Sequence, residues 1–543
     1  MVSIGIKSNG KEAANTIEIL SVDLLREVNR IPTARLVLIE GRESPGEFKV
    51  SDSGVFAPGK KIEIELKYTD NPGSKAELFK GIVVGQSVEL GQDGGMLLSV
   101  EIKDAGIKLT RGRNSSIGVK QKDSDVFRKL AQEAGLSVGT IEDTEIQHPQ
   151  LVQYECTNWD FILTRADVLG LGVTLHNGRL SAQKLEPKQP PVLSCQLGID
   201  GIFEFEMEIN GSHQYSSLEA HSWKLKDQAV DKAKAPKVKL KQGDLDGEKV
   251  AGNLGFGPHI ESHPAPVEHK EVEQWAQGRM QRNRLALLRG RVTIQGHGGL
   301  QLLDVVELSN IAAHFNGKAL ITGLRHHVSS GGWTTAIQFG LSPEPFARTA
   351  DIASPAAAGL IPRAAGLQVG IVSAHDDPDK LHRIKVKLPT LGDNAEVWAR
   401  VASPYGGADR GWFFRPEVGD EVIIGFYNDD PRFPVILGSM YSPKSKPPAK
   451  GLPDDKDNKG KALVTKKGIV IGFVDDEKAQ VFIETPKGRK ILLDDDGEKI
   501  ELTDPNKNTI TMNKDGIVLK SCKDFKIDAS GNVEIKGSKV DVK

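Results

Sequence analysis

The chain has 543 residues, more than one hydrophobic core usually supports, so several domains are expected. Its 71 Lys+Arg against 73 Asp+Glu give a formal net charge of −2, which argues against a protein whose main task is to neutralise nucleic-acid phosphates. Cys156, Cys195 and Cys522 lie far apart in no CxxC arrangement, so neither a disulfide framework nor a thiolate metal site is indicated, and three reduced, mostly buried thiols are expected.

The N-terminus lacks a charged segment followed by an apolar core, and no long apolar run appears, so synthesis in the cytoplasm without a signal peptide is expected. Short alternating runs ended by Gly, Pro, Asn or Asp predict a mainly β protein. Helices are predicted from Ser124 to Ala134, stopping at Gly135, from Trp159 to Leu169 before Gly170, and from Val267 to Leu288.

Within residues 1–350 a pattern repeats. Lys60-Lys-Ile-Glu-Ile-Glu-Leu66, Phe79-Lys-Gly81 and Gly94-Gly-Met-Leu-Leu-Ser-Val100 are matched by Leu303-Asp-Val-Val-Glu-Leu308, Phe315-Asn-Gly317 and Gly331-Gly-Trp-Thr-Thr-Ala-Ile337. Two similar β-barrels with helical insertions are the reading; chance repetition of meander grammar is the alternative, because both glycine signals are common in turns. Residues 351–366 are Pro/Ala-rich and predict a linker. Residues 367–441 hold five strand-like runs, Gln368–Ser373, Arg383–Lys387, Val397–Val401, Glu421–Phe426 and Pro434–Gly438, which fit a small closed barrel of the OB type. A second linker is expected over 442–465.

Residues 466–543 are read as a β-prism segment. From Ile483 an apolar-x-apolar triplet recurs at nearly eight-residue spacing, and the expected core is Ile491, Ile500, Leu502, Ile510, Ile517, Leu519, Phe525 and Ile527. At about 25 cal/mol per Å² one such triplet cannot offset the ordering of its residues at over about 1 kcal/mol each, so partner strands must share the core. Three intertwined chains forming a prism satisfy this; a single-chain β-helix is the competing solution.

No catalytic, cofactor or metal residues are assigned. Asp494-Asp-Asp496 and Asp454-Asp455 read as solvated turns rather than an acid/base pair. Gly54 to Lys61 has P-loop spacing but Lys61 where Ser or Thr belongs. His259, His263, His269, His326 and His327 accompany no metal-ligand pattern. Lys232 to Lys241 is basic without interleaved aromatics, so no nucleic acid is expected as a partner.

The stretch Val22-Asp-Leu-Leu-Arg-Glu-Val-Asn-Arg-Ile-Pro-Thr-Ala34, with Phe56-Ala-Pro-Gly-Lys60, Phe79-Lys-Gly-Ile-Val83, Lys108-Leu-Thr-Arg-Gly-Arg113 and Gln153-Tyr-Glu-Cys-Thr-Asn-Trp-Asp-Phe161, resembles VgrG proteins of type VI secretion and the phage late-control-D hub. Gly411-Trp-Phe-Phe-Arg-Pro-Glu-Val-Gly-Asp-Glu-Val422 and Asp430-Pro-Arg-Phe-Pro434 resemble the OB domain of phage tail spikes.

The resemblance implies a non-enzymatic homotrimer whose hub meets an inner tube (Hcp-like) protein and baseplate proteins. It implies an OB collar, a membrane-puncturing prism that touches a target cell membrane transiently, effector cargo, and delivery to the extracellular space or a target cell. Two barrels per chain in a trimer would make six, adapting a threefold spike to a sixfold tube. The C-terminus lacks the H-x-H of some phage spikes, so a PAAR-type tip protein is expected on Val533, Ile535, Val540 and Val542. The alternatives are an OB-fold nucleic-acid-binding protein and a cell-wall hydrolase, the latter inherited only from lysozyme-bearing relatives.

Overall fold

The computed structural model describes residues 2–13, 16–41, 48–69, 71–92, 95–187, 189–238, 243–392, 394–449 and 457–543. Gly94, Asp454-Asp455 and residues 239–241 of the basic run lie outside the described residues. The chain divides into two compact units, Met1–Pro355 and Ala356–Lys543.

The first unit is built on one continuous sheet. Its first frame contains β1 (Val2–Ser8), β2 (Ile19–Glu27), β3 (Thr33–Ile39), β4 (Lys61–Tyr68), β5 (Asn71–Leu90) and β6 (Met96–Lys103). Alternation does the work here: Ile62, Ile64 and Leu66 on β4 are fully buried while Glu63 and Glu65 face outward. Leu24, Leu36, Leu38, Phe56, Phe79 and Leu98 complete that core. Lys61 opens a strand, not a helix, so the P-loop spacing before it leads nowhere.

A helical insertion follows, with β7 (Asn114–Lys122), α1 (Asp123–Glu133), β8 (Gln147–Cys156) and α2 (Asn158–Val168). Gly135 and Gly170 sit at φ +71° and +67° just past the two helices, where a Cβ would be strained. Thr157 Oγ1 accepts from the Asp160 N–H and caps α2.

The second frame contains β9 (Leu193–Gln196), β10 (Ile202–Ile209), β11 (Leu288–Gln295), β12 (Val305–Ser309), β13 (Gly317–Ser329) and β14 (Gly332–Phe339). Before β11 come α3 (Gly247–Asn253), which the sequence reading did not find, and α4 (His269–Leu285). The basic run belongs to a strand, Ala229–Lys234, and its extension; Ala233 and Ala235 pack against α4 while Lys237 pairs with Glu248 at 3.1 Å.

The duplicated sequence pattern coincides with a duplicated strand order. The first frame runs β1-β4-β5-β6-β3-β2 and the second β9-β12-β13-β14-β11-β10, and each has its own core. They differ at one end, where β1 pairs β4 antiparallel but β9 pairs β12 parallel. The frames join through antiparallel pairing of β2 with β13, from Glu27 opposite Gly323 to Val22 opposite Val328.

The second unit begins with a closed barrel of β15 (Gln368–Ala374), β16 (Ile384–Lys387), β17 (Glu396–Val401), β18 (Glu421–Phe426) and β19 (Pro434–Ser439), closed in the order β15-β16-β17-β19-β18. Val372, Ile384, Val386, Ala399, Val422, Ile424 and Ile436 fill it. A seven-stranded antiparallel meander follows: β20 (Gly460–Val464), β21 (Val470–Val474), β22 (Gln480–Glu484), β23 (Lys490–Asp494), β24 (Lys499–Thr503), β25 (Thr509–Asn513) and β26 (Gly516–Lys520). Tight turns reverse the chain; in one, the Gly468 N–H donates to Thr465 O at 2.7 Å, with Gly468 at φ +83°. No strand forms over 521–543.

All three cysteines are free thiols; Cys156 and Cys195 are buried, and Cys522, past the last strand, is exposed. Among the described residues no helix is long and apolar enough to cross a membrane.

A candidate assembly surface on the spike and hub

The side chains of the meander sort onto two faces because the strands pair in register. On one face Ile471, Ile483, Ile491, Leu502, Ile510 and Leu519 stand opposite one another in a row across six strands. Phe473, Val481, Leu493, Ile500, Met512 and Ile517 form a parallel row two residues away. These twelve side chains make one contiguous apolar face, yet in the single chain Leu502 keeps 36% of its surface exposed and Leu493 44%. A soluble fold does not leave such a face to water.

The opposite face carries Gly472, Phe482, Leu492, Glu501, Thr511 and Val518. Phe482 is buried because Gly472 leaves room for its ring, a Cβ there coming 2.3 Å from Phe482 Cζ, and Lys490 Nζ lies 5.3 Å from the ring centroid. Lys499 and Glu501 pair at 2.6 Å on this side.

Of the residues expected in the spike core, Ile491, Leu502, Ile510, Leu519 and Phe525 line one open trough with Ile483. Ile500 and Ile517 lie in the second row. Ile527 stands beyond the last strand, exposed, and joins neither row. The apolar repeat also begins earlier than Ile483: Ile471, Phe473 and Val481 belong to it. Their signal was the same apolar-x-apolar alternation, with Gly472 and Phe482 in the middle positions. The residues expected to seat a tip protein, Val533, Ile535, Val540 and Val542, are all exposed, Val542 at 91%.

The hydrogen-bond ladder over 460–520 runs between successive strands of the chain. What the chain lacks is cover for the apolar face, not backbone partners.

In the hub, the seam between the frames buries charge. Arg26 on β2 is almost fully buried; its Nη1 lies 2.5 Å from His176 Nδ1 and 3.2 Å from Gln301 Oε1, and Nη2 donates to Leu300 O at 3.2 Å. Burial pulls the guanidinium down to about 10, opposed by Asp304. Burial, and then the Arg26 charge, hold His176 down at about 4 and His326 at about 3, so both are neutral at pH 7. His326 Nδ1 contacts Thr335 Oγ1 at 3.0 Å. Its neighbour His327 faces the opposite side of β13, onto an open polar groove with Asp23, Arg325, Arg35 and Arg291.

A second buried cluster ties the helical insertion to α4. Arg165 on α2 reaches Asp123 and Glu271, each at 2.7 Å, and His148 Nε2 lies 2.8 Å from Asp123 Oδ2. Although burial alone would raise the Asp123 carboxyl, bonds from His148 and Arg165 hold it below its ordinary value. These groups satisfy one another and join the helical insertion to α4. Among the described residues no three His, Cys, Asp or Glu side chains are grouped to hold a metal ion.

Comparison with known proteins follows this division. Residues 1–330 match the Alg8 N-terminal domain, residues 368–441 the type VI secretion system/phage-baseplate injector OB domain, and residues 480–543 the phage baseplate V C-terminal trimerisation domain. The type VI secretion system spike protein VgrG1b of Pseudomonas aeruginosa is 24% identical over 522 residues, 85% of this chain and 66% of that protein. VgrG5 of the same organism is 35% identical over 104 residues, 18% of this chain and 13% of that protein. The chain thus spans less than two thirds of the length of either relative. Among solved structures, the E. coli c3393 protein, a component of the type VI secretion system, is 13% identical with a TM-score of 0.42, covering 80% of this chain and 99% of that one. The match over residues 1–330 places the chain in the Alg8 N-terminal domain family, and its residues 368–441 and 480–543 are similar to the injector OB domain and the trimerisation domain of phage baseplates.

Proposed function

We propose that three copies of this chain form the non-enzymatic hub and membrane-puncturing spike of a contractile injection apparatus. The observation that carries this reading is the double apolar row on the meander, which one chain cannot cover and which three copies would bury against one another around an axis. The match of residues 480–543 to a trimerisation domain supports it. A prism with backbone ladders closed inside each chain and a dry core between chains is suited to bearing axial load.

The hub supplies two similar frames per chain, hence six in the trimer, and these face a sixfold ring of an inner-tube protein beside the baseplate. The domain roles follow the sequence reading: hub over 1–350, OB collar over 367–441, spike over 466–543. A PAAR-type protein caps Val533, Ile535, Val540 and Val542, and the particle carries effector cargo to the extracellular space or a target cell.

Sedimentation of the full chain tests the core of this proposal. One copy weighs 58.9 kDa, and the expected species has three times that mass. A monomer at micromolar concentration would sink the reading. Clearing of peptidoglycan by the purified trimer would refute its non-enzymatic part.

A further inference from the structure

Between β17 and β18 the OB barrel extends a loop that places Tyr405, Trp412, Phe413 and Phe414 in solvent at 55, 61, 80 and 58% exposure. This loop is built rather than slack. Gly406 pairs with Gly411 and Gly407 with Arg410 as a short antiparallel hairpin. The Trp412 N–H donates to Tyr405 O at 2.8 Å, and the Ser403 hydroxyl lies within hydrogen-bonding distance of Tyr405 O and Trp412 O. Gly411, at φ +135°, lets the strands close, since a Cβ there would come 2.6 Å from Tyr405 O. Rigid aromatic side chains held out on a preformed loop are what anchors interfaces, because little conformational freedom is lost when they dock.

The same barrel carries an apolar outer face on β15, β18 and β19, although the outside of a five-stranded barrel facing water should be polar. Leu367, Val369 and Leu437 are exposed there at 59, 41 and 52%. Gly425 forms the floor between two of them: a Cβ at Gly425 would lie 3.6 Å from both Leu367 Cδ2 and Leu437 Cδ1. The face is therefore dished, with two leucine walls and a glycine floor, the shape that takes the edge of an aromatic ring.

A threefold ring needs a heterologous contact, in which each copy presents two different patches, one fitting the other on its neighbour. The barrel has two such patches, one protruding and one recessed. Glu417, just after the aromatic run, pairs with Lys466 in the turn between β20 and β21 at 3.1 Å, so the loop stands beside the start of the meander whose apolar face meets its copies. We propose that the aromatic tongue of each copy seats in the Leu367–Gly425–Leu437 slot of the next, closing the collar as a head-to-tail ring. This rests on the trimer reading, and its occupant is a second copy of this chain.

The full chain tests it in a Cys522→Ser background, which removes the exposed thiol while Cys156 and Cys195 stay buried. Phe413→Cys combined with Leu437→Cys, under mild oxidation, is expected to give covalent dimers and trimers on a denaturing gel. Neither single variant should give them. In the second arm chymotrypsin is added to otherwise unaltered protein and to Gly425→Val, whose Cβ sits at ordinary contact distance from the two walls and whose methyls occupy the slot. Cleavage in the tongue should be at least about tenfold faster in Gly425→Val, corresponding to a loss of about 1.4 kcal/mol of seating.

A trimer by sedimentation that neither cross-links in the double variant nor protects its tongue overturns the proposal and leaves the trimer reading standing. Failure of one arm alone also overturns it, as does self-linking of either single variant, which would mean an isologous contact. A monomer overturns both readings.

Discussion

Leu502 sits at the middle of the first apolar row, opposite Ile491 on one side and Ile510 on the other. In the lone chain 36% of it remains exposed. Taking about 2–3 kcal/mol for full burial of a leucine, the unburied share is worth about 1 kcal/mol per copy, or about 3 kcal/mol per trimer. Leu502→Asp does more than forfeit this, because it drives three carboxylates towards one axis, each with a desolvation penalty of several kcal/mol and with mutual repulsion added. The trimer should dissociate at micromolar concentration near pH 7, read by sedimentation as a shift to a single 58.9 kDa species. Thr511→Lys, on the opposite face between Glu501 and Val518, should leave the trimer intact. If Leu502→Asp stays trimeric, or Thr511→Lys dissociates equally, the assignment of the inward face is wrong.

The remaining predictions concern the hub. His176 and His326 are held neutral, with folded values of about 4 and about 3, below an unfolded value near 6.5. The unfolded chain therefore binds protons that the folded chain refuses. Hub stability should fall as pH drops below about 6.5, by up to about 1.4 kcal/mol per pH unit for each histidine until its folded value is reached. Denaturant melts between pH 7 and 4.5 check this, and His326→Gln should remove about half of the slope; an unchanged slope would refute the assignment. Arg165→Ala strands the fully buried Asp123 carboxylate and should cost about 3–5 kcal/mol in urea melts, with Asp123→Asn in the same chain recovering part of it. Gly278→Ala puts a Cβ 2.7 Å from Val168 O and 2.8 Å from Gly170 N, where α4 meets the end of α2, and should cost about 1–3 kcal/mol by overpacking.

The OB strands were legible almost to the residue, because each is a short alternating run between turn residues and a five-stranded barrel leaves few other pairings. Glu421–Phe426 was bounded correctly, and Pro434–Gly438 was short by one residue. The three predicted helices are present with ends displaced by up to three residues, since Gly135 and Gly170 mark their stops but caps are weaker signals. Helix α3, Gly247–Asn253, was missed; at seven residues it shows too few turns for a periodicity, and only Asp246, whose side chain accepts from the Glu248 and Lys249 N–H groups, announces it. The buried clusters around Arg26 and Arg165 were illegible for a different reason. Arg165 and Glu271 are 106 residues apart, and no local pattern brings them together. The aromatic tongue was visible only as motif residues, with nothing in its spacing to separate core aromatics from exposed ones.

The repeat in the hub was the most informative feature and the least complete. Phe-x-Gly, Gly-Gly and the alternating run before them mark only three of the six strands in each frame, namely β4 to β6 and β12 to β14. The three flanking strands follow the same order without any shared signature, because side-chain burial constrains their alternation but not their identities. One strand breaks the likeness: β1 runs antiparallel to β4, whereas β9 runs parallel to β12. That difference bears on the proposed adaptation of three to six. Six frames in a trimer alternate between two kinds, alike in their central meanders and unlike at one edge. A sixfold ring would therefore find near-equivalent contacts on the central strands, while the unlike edges are free to make the threefold contacts within the hub. Charge reversal on an outward residue of a central strand, such as Glu63 on β4 or Glu307 on β12, should weaken binding to tube rings from either frame, by pull-down with purified tube protein. If only one frame's variants matter, the two are not used as equivalents and the quasi-sixfold reading fails.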